Sequence, residues 1–105
     1  MCFSNQEWAD LAIAATDAGS DMLELNFSCP HMTVEGAGFK VGQAFQLLKG
    51  YTEIVRSVSK LPILAKLTSN VTDITEPALF AKQGGADGIT AINTVRGLAG
   101  IGMDD

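Results

Sequence analysis

The sequence predicts an α/β fold of parallel strands joined by crossover helices. Apolar residues recur at helical spacing in two segments, start and stop signals bound a third helix, and each of the three is followed by a short run of β-forming residues. A helix-to-strand junction also occurs twice. Ala18-Gly19-Ser20-Asp21 leads to Asn26 much as Gly84-Gly85-Ala86-Asp87 leads to Asn93, with a one-residue difference in spacing. Such a repeat suits a βα barrel and equally an open doubly wound sheet, and periodicity does not choose between them.

The elements follow in order. Ser4 and Glu7 form a capping box, then Trp8, Leu11, Ala12 and Ala15 fall at helical spacing until Gly19 stops a helix over roughly 5–18. Met22 to Phe27 reads as a strand running into Ser28-Cys29-Pro30, and a loop with Gly36, Gly38 and Gly42 carries the chain onward. From about Gln43 to Ser59, the residues Leu47, Leu48, Tyr51, Ile54, Val55 and Val58 draw one apolar stripe, with Gly50 a weak point in its middle. Leu61 to Thr68 is a second strand, where Pro62 is tolerable only near the start because it has no amide to donate. Asp73 and Glu76 flank the next helix start, Pro77 occupies its first turn, Gly84-Gly85 ends it, and Gly88 to Asn93 is the third strand.

Composition narrows the function. The 105 residues are 47% hydrophobic and show no second compositional regime, so one domain or part of one spans residues 1–105. No apolar run approaches the ~18 residues that cross a bilayer. Seven basic residues scattered among twelve acidic ones give a net charge of −5, which argues against nucleic acid and anionic lipid as partners and favours a small molecule. The opening residues lack a signal-like basic and apolar region, so a cytoplasmic location is expected. Cys2 and Cys29 are too few for a disulfide framework and lack metal-ligand spacing.

The strand ends carry the candidate chemistry. Each predicted strand closes on polar residues: Asn26 with Cys29 just beyond, Lys66 with Thr68, and Asn93 with Thr94. In parallel α/β folds the carboxyl ends of strands converge on the ligand, so these residues should face one site. Alternation places Glu24 with Asn26, and Leu64 with Lys66, on common faces. Plainer readings stand beside these: the asparagines serve equally as strand-end turn formers, and Cys29 as a small buried residue. Lys66 within an apolar strand must either snorkel to water or meet an anion, because an unpaired buried ammonium is costly. His31 reads as a loop histidine, and Asn26-Phe27-Ser28 and Asn70-Val71-Thr72 match a glycosylation pattern of little weight. Gly84-Gly85-Ala86-Asp87-Gly88 precedes a strand, so it is not the glycine fingerprint that follows one in dinucleotide sites.

Three segments, Glu24 to Pro30, Ala65 to Asn70 and Gly84 to Thr94, resemble in order and spacing the FMN-binding barrel shared by dihydropyrimidine and dihydroorotate dehydrogenases. The Asn-x-Ser-Cys-Pro element is that of the cysteine-dependent branch. Cys29-Pro30-His31-Met32-Thr33 followed by Val41-Gly42-Gln43 looks most like the bacterial NAD-dependent dihydropyrimidine dehydrogenases. Ser69 stands where that family often has proline, and the stretch from Met32 to Phe39 also departs from it.

The resemblance implies a (β/α)8 barrel of which this chain supplies about three central strands, the fourth to sixth, beginning inside a barrel element. It implies that Cys29 is a general acid toward a pyrimidine base. Asn26, Asn93 and Thr94 would then bind the substrate ring, and Lys66, with Thr68 or Asn70, would contact FMN. In the wider complex it implies NAD, FAD, iron-sulfur clusters and a companion electron-transfer subunit. Because the remaining strands of such a barrel complete the phosphate site and ring pocket, none of these cofactors is expected to bind this chain stably. Two rivals stand beside this reading: a dihydroorotate dehydrogenase, and a non-catalytic barrel piece.

Overall fold

In β-type segments with alternating apolar residues, one set of side chains seeks cover and the other is left for water or ligand. The computed structural model describes residues 4–27, 41–68, 71 and 73–92, and in it this alternation organises the whole molecule. The element order is α1 (Asn5–Asp17), β1 (Leu23–Asn26), α2 (Val41–Val58), β2 (Ile63–Lys66), α3 (Thr75–Gln83) and β3 (Gly88–Thr90). The three strands form a parallel sheet in the order β1-β2-β3, so each crossover is helical and each strand lies beside its successor.

One face of the sheet is packed against the helices. Leu23, Leu25 and Phe27 from the first strand and Ile63, Ala65 and Leu67 from the second are all buried, together with Trp8 and Ala12 of α1, Leu48, Tyr51 and Val55 of α2, and Ala81 of α3. The indole of Trp8 fixes the α1–α2 contact: its ring lies 5.2 Å from Phe27 and 5.3 Å, stacked, from Tyr51. Phe45 and Phe80 do the same for α2 and α3 at 5.6 Å. Aromatic pairs at this separation add about 0.5–1.5 kcal/mol beyond the area they bury.

The apolar stripe of α2 is as expected, with Leu48, Tyr51 and Val55 buried and Leu47, Ile54 and Val58 packed against them. The helix runs unbroken through Gly50, where an added Cβ would have open space among the described residues. It begins at Val41, so Gly42 belongs to the helix and not to the preceding loop. On α1, Leu11 is 56% exposed and lies outside the core, although it shares the helical spacing of Trp8 and Ala12. The stripe there is narrower than the sequence pattern implied.

Caps set the helix ends. The Ser4 hydroxyl accepts from the Glu7 amide at 3.2 Å, as the capping box requires. At α3 the carboxylate of Asp73 accepts from both the amide and the hydroxyl of Thr75, at 2.9 and 2.6 Å. These two bonds hold the Asp73 carboxyl below its ordinary value.

Two helix ends share one geometry. Gly19 and Gly85 both adopt positive φ, 94° and 107°. Around Gly19, the amides of Ala18, Gly19 and Ser20 donate to the carbonyls of Ala14, Thr16 and Ala15. Around Gly85, those of Gly84, Gly85 and Ala86 donate to Phe80, Lys82 and Ala81. Both are Schellman closures, in which a left-handed residue reverses the chain toward the next strand. The repeat seen in the sequence is therefore a repeat of hydrogen bonds.

The strands are shorter than the sequence suggested. Met22, Leu61, Pro62, Thr68 and residues 91–92 lie outside the ladders, while the Phe27 and Leu67 amides just past β1 and β2 still donate to the Lys66 and Thr90 carbonyls. Pro62 immediately precedes β2, where its carbonyl still accepts from the Leu23 amide at 2.9 Å. No described helix is long and apolar enough to cross a membrane.

Candidate functional site

The face turned away from the helices is polar. Glu24 and Asn26 are exposed along β1, Leu64 and Lys66 are half-buried along β2, and Gly88 and Thr90 occupy the same face of β3. Parallel register puts Asn26 opposite Lys66 and Lys66 opposite Thr90. An amide, an ammonium and a hydroxyl thus form one row across three strands, at their carboxyl ends. This is the end where α/β enzymes assemble their sites.

Close packing below the row keeps these strands in step. Gly88 lacks a side chain because one would meet Leu64: a Cβ there would lie 2.7 Å from Leu64 Cδ2. One row down, Glu24 reaches across the central strand, and its Oε2 accepts from the Thr90 hydroxyl at 2.9 Å. Glu24 is registered with Leu64, and Thr90 with Lys66, so this bond crosses the middle strand between those two residues. Strand alternation placed Glu24 on the face of Asn26, but nothing local in the sequence identified Thr90, 66 residues away, as its partner.

Lys66 has no ion-pair partner among the described residues, and no cluster of potential metal ligands occurs among them. A half-buried ammonium beside an amide and a hydroxyl repels a metal cation and can donate to a hydrogen-bond acceptor. Thr68 stands elsewhere. It is buried at 8% exposure and lines an apolar pocket in the helix layer with Phe27, Phe45, Leu48 and Pro77. Cys29, Asn93 and Thr94, with His31 and Asn70, lie outside the described residues.

Asp87, in the run from Gly84 to Gly88, has a structural task. Its carboxylate accepts from the Ile63 amide at 2.9 Å and from Arg56 Nη2 at 2.8 Å, while its own amide donates to the Ile63 carbonyl at 2.8 Å. The same guanidinium nitrogen donates to the Leu61 carbonyl at 3.0 Å. The start of β2, the end of α2 and the start of β3 are thereby tied at the end of the sheet opposite the polar row.

A parallel βα layer with its helices on one face and a polar row at the carboxyl ends of its strands is the framework of an α/β enzyme. Comparison with known proteins narrows that class: the family profile described as dihydroorotate dehydrogenase matches residues 4–103, and the chain belongs to that family. The NAD-dependent dihydropyrimidine dehydrogenase subunit PreA of Escherichia coli strain K12 is 48% identical over 101 residues, covering 96% of this chain and 25% of that protein. The chloroplastic dihydropyrimidine dehydrogenase (NADP(+)) of Arabidopsis thaliana is 40% identical over 102 residues, 96% of this chain and 24% of its own length. The catalytic subunit of dihydroorotate dehydrogenase B (NAD(+)) from Methanosarcina acetivorans is 46% identical over 93 residues, 89% of this chain and 29% of its own. The chain thus spans about a quarter of the length of the curated relatives it matches, and the oxidoreductase family is common to all of them.

Proposed function

We propose that this chain provides the central strands of an FMN-dependent barrel that reduces the 5,6 double bond of uracil or thymine. The observation that carries the reading is the row of Asn26, Lys66 and Thr90 on one face at the strand ends, in a sequence 48% identical to a dihydropyrimidine dehydrogenase subunit. FMN, when bound, supplies the hydride. Lys66 holds the electron-rich edge of the flavin ring through a fixed positive charge; Thr68, buried in the helix layer, does not share that contact, and Asn70 completes it. Asn26, Asn93 and Thr94 orient the pyrimidine, since an asparagine amide offers both a donor and an acceptor to a ring imide. Cys29, three residues past the end of β1, gives its thiol proton to the ring carbon next to the one that receives hydride and is left as thiolate. With a reference pKa of ~8.5, a thiol remains protonated at neutral pH yet releases its proton readily.

NAD as electron source, FAD and iron-sulfur clusters on the electron path, and a companion electron-transfer subunit belong to the same proposal, as does a cytoplasmic location. A second reading, a dihydroorotate dehydrogenase, is favoured by the 46% identity to the Methanosarcina acetivorans subunit. Turnover of uracil, thymine and dihydroorotate by a complete barrel carrying this chain separates the two. In that barrel, Cys29→Ala should lower pyrimidine reduction by about 10²- to 10⁴-fold while flavin absorbance is retained. Near-normal turnover would remove Cys29 from the mechanism.

A further inference from the structure

The repeated junction assigns a partner to a surface that the catalytic reading does not use. At the second junction, Gly84 lies against α2 so closely that a side chain there would collide with it, and at Gly85 one would be tightly pressed. A Cβ on Gly84 would stand 2.7 Å from the Lys49 carbonyl oxygen and 2.8 Å from Thr52 Cβ, and one on Gly85 would stand 3.1 Å from Arg56 Cγ. Two residues after Gly85, Asp87 binds Arg56 and makes the reciprocal pair of bonds with Ile63 at the start of β2. The first junction has the same three closing hydrogen bonds, the same positive φ at Gly19, and an aspartate at the same distance, Asp21. Ala18, Gly19 and Asp21 are all exposed, and among the described residues no heavy atom beyond its chain neighbours lies within 4 Å of the place a Cβ on Gly19 would take.

We propose that Ala18-Gly19-Ser20-Asp21 is the docking surface for the helix–strand unit that precedes β1 in the complete barrel. The likeness of the junctions specifies the occupant. Its helix crosses Ala18 and Gly19 and presents a guanidinium to Asp21, one turn beyond a small or β-branched residue, as Thr52 and Arg56 are spaced on α2. Its strand pairs in parallel with the outer edge of β1, the first amide donating to the Asp21 carboxylate and the first carbonyl accepting from the Asp21 amide. This continues the strand order already present, in which each strand lies beside its successor. Ala18 stands where the second junction has Gly84, so the incoming helix carries a smaller residue than Thr52 at the contact or sits a few tenths of an ångström farther out.

The test uses this chain grafted over the 101 matching residues of the E. coli subunit. Asp21→Ala and, as the positive control, Asp87→Ala are each expected to lower the melting temperature by about 2–6 °C, the loss of charge-assisted bonds to a backbone amide and a guanidinium. Hydrogen exchange at the first amide of the preceding strand should speed up in Asp21→Ala alone, and exchange at the Ile63 amide in Asp87→Ala alone. Asp21→Asn, which keeps an acceptor oxygen, should fall between parent and Asp21→Ala in both readouts, and it serves if Asp21→Ala does not fold. Unchanged exchange at the preceding strand's first amide in both Asp21 variants would overturn the proposal. So would a parent graft in which that amide exchanges as fast as an unpaired, exposed one.

Discussion

The two faces of the sheet obey opposite rules. On the helix side, Ile63 and Ala65 are fully buried and Leu67 and Phe27 nearly so, and only at β3, where Ile89 is 38% exposed, does the cover thin. On the other side the same strands present Glu24, Asn26, Lys66 and Thr90, polar groups held in register, with Glu24 and Thr90 bonded to each other across the middle strand. A strand of four residues cannot be both scaffold and site on one face. Alternation lets it be scaffold on one and, in the function proposed above, site on the other, so that positions of adjacent number in the sequence take unrelated jobs.

Substitutions should therefore divide by face. The largest stability loss is expected from Ile63→Ala, which removes a fully buried side chain from the middle of the core. Chemical denaturation of the grafted barrel should show a loss of about 2–5 kcal/mol, and a loss below ~1 kcal/mol would mean that this face is not the one that holds the fold. Gly84→Ala follows. The new methyl would press on the Lys49 carbonyl and on Thr52, neither of which is a flexible chain end, so a loss of about 1–3 kcal/mol is expected in the same assay. On the polar face, Glu24→Gln keeps an oxygen for the Thr90 hydroxyl, and stability should change by less than ~0.5 kcal/mol.

Smallest of all is the cap at Asp73, which sharpens the comparison because it belongs to neither face. Its folded pKa is lowered by the two Thr75 bonds, so its contribution is present above the unfolded value of 3.8 and is lost as pH falls through the lower folded value. Exchange of the Thr75 amide should accelerate relative to a core amide as pH is lowered from about 5 to about 2. In Asp73→Ala that pH dependence should vanish.

Much of this was readable from residues alone, for reasons that differ by element. Helix ends were legible because their causes are local: Ser4 with Glu7, Asp73, and the glycines at 19 and 85 act within one turn of themselves. Strand faces were legible because a period of two needs only the order of Leu23, Glu24, Leu25 and Asn26. Strand ends were not, since the extent of a ladder depends on a distant neighbour. The task of Asp87 was hidden for the same reason: its partners Ile63 and Arg56 are 24 and 31 residues away. Leu11 misled because helical spacing names a side of the helix but not how wide a contact that side receives.

The central claim is that the polar row is a flavin and pyrimidine site, and Lys66 is its most exacting member. The direct measurement is FMN affinity and flavin reduction potential in the grafted barrel carrying Lys66→Met, with the melting temperature recorded alongside. The account predicts weaker FMN binding and a lower potential, because a fixed cation no longer favours the electron-rich reduced ring, at a melting temperature close to the parent's. Unchanged affinity and potential in a folded Lys66→Met barrel would contradict it.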